Sequence, residues 1–222
     1  MSHVMSTPVL TAALAGVPSG IQSQGIWQGR RQLFVRFAGE AETATMYRAD
    51  ALAREIDRIL GRSHYHSISI SGRDALGNPE FLAAVLGQVT TKAPVMVDTD
   101  GERPEAISAL KQWLALVQVT IEVTTNARPV DRALETLRAA AAAGCDHSVV
   151  LVARDDTSDA QLIRIVEQAH GASPGTMIVV HPGPAGERPT LDRRWATLIE
   201  QSIAIHGDTR LSLRIPGPAA LR

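Results

Sequence analysis

Residues 129–153, PVDRALETLRAAAAAGCDHSVVLVA, place a helical pattern directly before a strand pattern. Proline suits the first turn of a helix, apolar side chains recur at helical spacing from Val130 to Leu137, and Gly144 can take the left-handed conformation that ends a helix. The run Ser148 to Ala153 is short, apolar and rich in β-branched residues, which is typical of a buried strand. This order of elements indicates βα units on a parallel sheet.

The same alternation extends along most of the chain. Strands are predicted at 33–37, 67–71, 94–98, 117–123, 148–153, 177–181 and 210–215. Helices are predicted at about 49–61, 78–88, 103–114, 129–143, 158–170 and 190–205. A complete eight-fold barrel takes about 250 residues. We therefore expect an α/β fold that forms an incomplete, open βα barrel with about six to seven mainly parallel strands.

Composition limits the organisation and the partners of the 222-residue chain. Its length suits a single domain over residues 1–222, with 1–18 expected as a loosely packed leader. That leader lacks the basic start of a signal peptide, and no run reaches the roughly 20 apolar residues of a membrane helix. The expected location is therefore cytoplasmic. The 22 basic and 23 acidic side chains argue against direct nucleic-acid binding, because no excess of positive charge would attract phosphates.

The chain has one cysteine, Cys145. One thiol forms no internal disulfide, no zinc site of three or four cysteines, and no iron–sulfur cluster of the three-cysteine type. We therefore expect none of these three cysteine-based features within the chain.

Two adjoining segments carry a resemblance to a known family. IQSQGIWQG at 21–29 and RRQLFVRFAG at 30–39 resemble the opening I-Q-G-E-G-x-x-x-G, then F-V-R-F-x-G, of 7-carboxy-7-deazaguanine synthases. These enzymes of the radical S-adenosylmethionine (SAM) superfamily make the deazapurine core of queuosine and related bases. Ser23 and Gln24 replace a glycine and a glutamate of the family. The resemblance spans most of residues 19–180 and weakens toward the C-terminus.

The cluster motif of the family, C-x-x-x-C-x-x-C-D-T, should follow Gly39 but does not. The three cysteine positions fall on Glu40, Ala44 and Tyr47. Thiolates hold iron far better than a carboxylate, a methyl group or a phenol. We therefore expect no [4Fe–4S] cluster and no reductive cleavage of SAM. Binding of SAM and Mg²⁺ is not favoured either, because Ala49 stands at the position of the family's magnesium-binding threonine and has no side-chain oxygen.

The resemblance also implies residues of a ligand pocket. Gln22 and Gln24 match positions that line the substrate pocket of the family, and Gly72 is the unaltered glycine of its SAM-binding T-G-G-E-P-L segment. Arg36 matches the arginine that binds the substrate carboxylate. A mid-strand arginine inside a barrel needs a partner, so either a ligand anion or an internal carboxylate is expected to face Arg36.

Two further candidates end predicted strands, at the edge where parallel sheets bind ligands. The segment 98–102, DTDGE, could bind Mg²⁺ or form a turn, and we favour the turn, with Asp98 lining the pocket. His181 ends the sixth strand and is the remaining candidate for a general base, although the sequence shows no nucleophile beside it.

The expected function is that of a non-catalytic homologue that keeps the barrel. It would bind a purine- or pterin-like small molecule or act as a subunit for a partner protein, and the resemblance implies a homodimer. The alternative is an enzyme of a different, cluster-independent class that reuses the pocket. In that case Arg36 would anchor an anion, and Asp98 and His181 would move protons.

Overall fold

The computed structural model describes residues 9–123, 128–153, 157–182 and 193–212. Ten strands occur in these ranges: β1 (Thr11–Gly16), β2 (Ser19–Ile21), β3 (Arg31–Phe37), β4 (Thr45–Arg48), β5 (Ser67–Gly72), β6 (Val95–Thr99), β7 (Leu114–Glu122), β8 (Asp146–Ala153), β9 (Met177–Pro182) and β10 (Thr209–Leu211). The helices of the same ranges are α1 (Ala49–Leu60), α2 (Pro79–Leu86), α3 (Pro104–Leu110), α4 (Arg128–Ala143), α5 (Asp159–Ala172) and α6 (Arg193–Ile205).

All ten strands belong to one sheet. Its order is β10, β9, β8, β7, β6, β5, β3, β1, β4, and β2 pairs with β3 beside this path. The pairs from β3 through β5 to β10 are parallel, whereas β1 and β2 run antiparallel to their partners. The described residues thus form an α/β fold with a mostly parallel sheet whose two ends, β10 and β4, do not pair with each other.

The two faces of the sheet differ in chemistry. Side chains alternate between the faces along a strand, and one set, including Val97, Val119 and Leu151, packs with the helices into the main apolar core. The opposite set includes Met96 and Leu116, which are buried, but also fully buried Gln118. We call this second side the inner face. The helices pack their apolar sides against one face of the sheet, whereas the inner face carries both apolar and polar side chains.

Most of the predicted elements are confirmed, but the predicted number of strands is wrong. β1, β2 and β4 were not predicted, and β1 lies within 1–18, which we expected to be a loosely packed leader. In β1, Ala12 and Leu14 are buried while Thr11 and Ala13 are exposed, the alternation of a half-buried strand. β4 lies in 38–48, which we expected to be a loop, and it pairs with β1 along four residues.

The third helix was predicted too long. Helix α3 ends at Leu110, and β7 begins at Leu114, inside the range 103–114 that we assigned to the helix. The run from Trp113 to Leu116 is apolar at successive positions, so its period does not separate helix from buried strand. Parts of the predicted elements at 190–205 and 210–215, namely 190–192 and 213–215, lie outside the described residues.

None of the described helices combines the length and the apolarity needed to cross a lipid bilayer.

Candidate functional site

A pocket of about 580 Å³ opens where strands β5, β6 and β7 end. Ligands of parallel α/β sheets bind at this edge because the loops that follow neighbouring strands converge there. The described residues that line the pocket are Gln24, Ser71, Gly72, Asp98, Thr99, Asp100, Glu102, Thr120, Ile121, Glu122 and Pro129. Three of the predicted ligand residues, Gln24, Gly72 and Asp98, therefore lie on one cavity.

Asp98 is the carboxyl group that the protein encloses most closely at this pocket. Thr120 Oγ1 donates a 2.9 Å hydrogen bond to Asp98 Oδ1. Burial raises the pKa of Asp98 above 3.8, although the Thr120 hydroxyl and the amides of Gln118 and Gln22 act to lower it. Because removal from water disfavours the charged form, Asp98 can hold a proton at a pH where an exposed aspartate has lost it.

Polar side chains continue from Asp98 along the inner face. Asp98 is paired in register with Gln118 of β7, and Gln118 is paired with Ser148 of β8. Gln118 and Ser148 are fully buried, and Gln22 is 4% exposed. Gln118 Oε1 and Ser148 Oγ have no hydrogen-bond partner among the described residues, and the Nε2 atoms of Gln118 and Gln22 approach Asp98 without forming a well-aligned hydrogen bond. An unsatisfied buried polar group costs about 1–3 kcal/mol, so this row is unusual in a folded protein.

The segment 22–29 crosses the inner face above this row. Gln24 Nε2 donates a long, 3.4 Å hydrogen bond to Thr120 Oγ1, and Ser212 Oγ, next to β10, donates a 2.7 Å bond to Gln28 Oε1. Gly25 has a φ of +81°, and a β-carbon there would lie 1.8 Å from Gln118 Oε1. Glycine is thus required for the left-handed backbone and for the close approach to Gln118.

Gly72 lines the pocket for a similar reason. Its φ is +100°, and a β-carbon would lie 2.2 Å from the carbonyl oxygen of Phe37. Strands β3 and β5 pair here, with Phe37 opposite Gly72. Glycine at this position therefore allows the ends of the two strands to approach each other closely beside the pocket.

We expected Arg36 to lie inside the barrel, but its side chain does not point into a closed interior. Its side chain is 47% exposed and forms a 2.9 Å ion pair with Glu42, which also accepts a 2.9 Å hydrogen bond from the Gly39 amide. This amide and the Arg36 guanidinium hold the pKa of Glu42 below its ordinary value. Arg36 lies one residue before the end of β3, where the inner face opens to solvent, so its carboxylate partner is a loop residue.

His181 lies at the end of β9 and is 1% exposed. Its Nδ1 lies 3.0 Å from the Ser212 carbonyl oxygen, which can only accept, so Nδ1 carries the proton. His181 does not line the pocket that contains Asp98. The structure therefore does not bring together the two groups that we considered for acid–base chemistry.

The three positions of the family's cysteines lie at and before β4. Glu40 pairs with Arg73 at 2.7 Å and its side chain is 81% exposed, and Ala44 is exposed. Tyr47 lies in β4, where burial and Glu55 raise its phenol pKa. Among the described residues, no three histidine, cysteine or carboxylate side chains converge so that they could hold a metal ion.

A second cavity, of about 660 Å³, adjoins the first through Asp100 and Glu102. Charged side chains line it, and sequence reasoning singled out none of its arginines. Arg103 forms a two-pronged pair with Asp74, and Arg132 pairs with Glu135 at 2.7 Å. Because carboxylates pair with these arginines, the second cavity is lined by ion pairs and lies beside the first.

Thr120 and Gln118 are site residues that sequence reasoning missed. Both lie in LALVQVTIE, the sequence of β7, where they interrupt an otherwise apolar run at every second position. Polar residues spaced by two on a buried strand share one face. That spacing was the available signal for a polar inner face.

Comparison with known proteins finds a sequence relative. The chain is 26% identical over 132 residues to the 7-carboxy-7-deazaguanine synthase of Methanothermobacter thermautotrophicus, a match that covers 53% of this chain and 52% of that protein. The chain thus matches about half the length of this curated relative. This similarity supports a distant relationship. No family model matches the chain.

Among solved structures, a D-tagatose 3-epimerase-like protein is similar over 70% of this chain and 69% of its own, with 15% identity and a TM-score of 0.40. A similarity of this size supports no inference about function.

Proposed function

We propose that the protein is a cluster-free relative of 7-carboxy-7-deazaguanine synthase that keeps an open barrel of the radical SAM type and binds a small purine- or pterin-like molecule. The observation that carries this proposal is the convergence of Gln24, Gly72 and Asp98 on one pocket. All three positions also belong to segments that resemble the family, because residues 94–101, PVMVDTDG, are similar to its P-V-x-x-E-T-N-G, with Asp98 in place of the glutamate. The distant sequence relationship supports the same proposal.

The residues of the chain do not fit a [4Fe–4S] cluster. Glu40 is engaged by Arg73, Ala44 has no donor atom, and Tyr47 offers a phenol whose pKa is raised. Cys145 immediately precedes β8 and so lies near the edge of the sheet opposite the pocket. No step of a reaction is therefore assigned to a cluster or to SAM.

The pocket is suited to a small polar heterocycle. Its volume of about 580 Å³ lies within the range of about 300–1,000 Å³ that is usual for small-molecule sites. Gln24, Asp98 and Thr120 present an amide, an enclosed carboxyl and a hydroxyl side by side. These groups can donate and accept hydrogen bonds along the edge of a flat heterocycle.

Thermal-shift and calorimetric titration test this function directly. The probes are 7-deazaguanine, guanosine, pterin and SAM, with wild-type protein, Asp98→Ala and Asp146→Ala. Asp146 is an exposed aspartate at the start of β8, so its variant is a matched control for the loss of a carboxylate. We expect a shift with a purine- or pterin-like probe that is lost in Asp98→Ala and retained in Asp146→Ala. If no probe shifts the wild-type protein, the ligand role is wrong and a role with a partner protein is favoured.

A second candidate function, a cluster-independent enzyme, is favoured by one observation. Asp98 combines an accessible position on the pocket with a raised pKa, which are properties of a general acid. The two functions differ in the fate of the bound molecule. If mass spectrometry recovers a bound probe unchanged after prolonged incubation, binding is supported, whereas a product that is not formed by Asp98→Asn supports the enzyme.

A further inference from the structure

The pocket adjoins a buried polar compartment on the inner face of the sheet. Its floor consists of Asp98, Gln118 and Ser148, which are paired in register on the successive strands β6, β7 and β8. Gln22 lies close enough to Asp98 to lower its pKa, so the amide of Gln22 belongs to the same compartment. Only Asp98 of these four residues lines the open pocket.

Polar atoms in this compartment lack well-aligned hydrogen bonds to the described residues. Gln118 Oε1 and Ser148 Oγ have none at all, the Nε2 atoms of Gln118 and Gln22 approach Asp98 but form no well-aligned bond with it, and all three side chains are more than nine-tenths buried. A buried amide that gives up water without gaining a hydrogen bond carries a free-energy cost. A ligand that satisfied these atoms would recover that cost on binding.

The compartment is closed by Gln24 and Gly25. Gly25 lies directly against Gln118 Oε1, and the side chain of Gln24 reaches Thr120 through a bond of only 3.4 Å. A bond of this length is weak, so a competing donor or acceptor at Thr120 can replace it.

We propose that a bound ligand displaces Gln24 and Gly25 from Thr120 and Gln118 and inserts an uncharged edge, with a hydrogen-bond donor next to an acceptor, against Gln118. Gln118 is then the residue that determines specificity. This inference rests on the proposed function, because it names the part of the ligand that the same pocket reads.

The chemistry of Gln118 defines the ligand edge. Its Oε1 can accept two hydrogen bonds and its Nε2 can donate two, so the amide can form a paired contact with a cyclic lactam, whose N–H donates and whose C=O accepts. A charged edge fits less well, because the compartment is enclosed and already disfavours the ionised form of Asp98. A ring that carries a lactam is thus the expected class of ligand.

The test compares two probes that differ in one donor, 7-deazaguanine and its N1-methyl derivative, which keeps the carbonyl but lacks the lactam N–H. Calorimetric titration is carried out on wild-type protein, Gln118→Met and Gln32→Met. Gln32 is also fully buried on the inner face and does not line the pocket. Its Oε1 has no partner among the described residues, but its Nε2 donates a 2.8 Å bond to Ser67.

We expect the wild-type protein and Gln32→Met to bind 7-deazaguanine about tenfold more tightly than the methylated probe, and Gln118→Met to lose this preference. The free proteins give a second measurement. The Tm of Gln118→Met should stay within about 3 °C of wild type or rise, because the amide has no well-aligned hydrogen bond to lose, whereas Gln32→Met loses the bond to Ser67 and should lower Tm by more than about 3 °C.

Other outcomes overturn the inference. If Gln118→Met keeps the preference, the proposed pocket stands but Gln118 does not read the ligand. A large fall in Tm for Gln118→Met shows that the amide is already satisfied in the free protein, for example by ordered water. If wild-type protein binds neither probe, the proposed function fails for this class together with the inference. Should Gln118→Met not fold, Gln22→Met removes the other buried amide beside Asp98 and must also reduce the preference.

Discussion

Thr120 Oγ1 and Asp98 Oδ1 are joined by a 2.9 Å hydrogen bond between the neighbouring strands β7 and β6. The same hydroxyl oxygen accepts the long bond from Gln24 Nε2. Thr120 therefore links the segment that carries the family resemblance to the carboxyl group of the pocket. Four predictions follow from this arrangement and the contacts around it.

Replacing Thr120 by valine should raise the pKa of Asp98 further. The hydroxyl lowers that pKa, while burial raises it, and valine keeps the shape but removes the donor. Carbon-13 NMR titration of the Asp98 carboxyl measures the change. Thr99→Val is the control, since Thr99 Oγ1 accepts a bond from the Gly101 amide. An Asp98 pKa that is unchanged or lower in Thr120→Val would contradict the account.

Stability should depend on pH through Asp98. The pKa of Asp98 in the folded protein lies above its ordinary value of 3.8, so the group is neutral in both states at lower pH and contributes nothing there. As pH rises above 3.8, the unfolded chain ionises first and the folded state loses relative stability, up to the folded pKa. In acid, the urea midpoint of Asp98→Asn should therefore equal that of wild type. As pH rises, the midpoint of the variant should increase relative to that of wild type. If the difference in urea midpoint between Asp98→Asn and wild type decreased toward neutral pH, the raised pKa would not belong to Asp98.

Gly25→Ala should destabilise the protein more than Gly29→Ala. Both glycines have φ values near +80°, but a β-carbon at Gly25 would meet Gln118, whereas nothing lies within 4 Å at Gly29. The left-handed backbone costs each alanine about 1–2 kcal/mol, and crowding adds about 1–3 kcal/mol at Gly25. Urea denaturation measures the difference in the free energy of unfolding. If the two variants lost equal free energy of unfolding, segment 22–29 would have to accommodate the new β-carbon at position 25 without an energetic cost, and the prediction would be wrong.

Arg36→Ala should change the affinity for a bound purine- or pterin-like probe by less than about twofold, because an exposed ion pair with Glu42 contributes little beyond its surroundings. Asp98→Ala should abolish binding in the same titration. Glu42→Gln, which releases the guanidinium, serves as the companion variant. Loss of binding in Arg36→Ala alone would move the ligand toward the end of β3.

Sequence reasoning predicted the parallel part of the sheet because its strands are apolar runs between long periodic helices, as in Ser148 to Ala153. It missed β1, whose alternation is confined to six residues that end at Gly16, and β4, which has only four residues, none of them buried. Edge pairing of such short segments depends on tertiary contacts, here between Thr11 and Arg48 and their neighbours.

The candidate site was predicted in part. Gln24, Gly72 and Asp98 do share a pocket, but Arg36 pairs with Glu42 and His181 lies two strands from β7. Position at the end of a strand predicts which edge a side chain occupies, and not which neighbour it meets. That depends on sheet order and on loop carboxylates, which one sequence does not disclose.

Anaerobic reconstitution with iron and sulfide tests the central claim most directly, with iron content, absorption and 5′-deoxyadenosine formation from SAM as readouts. The chain offers Cys145 as its one thiol, and Glu40, Ala44 and Tyr47 at the positions of the cluster ligands. We predict iron well below one four-iron cluster per chain and no 5′-deoxyadenosine. About four irons per chain together with reductive cleavage of SAM would contradict the account.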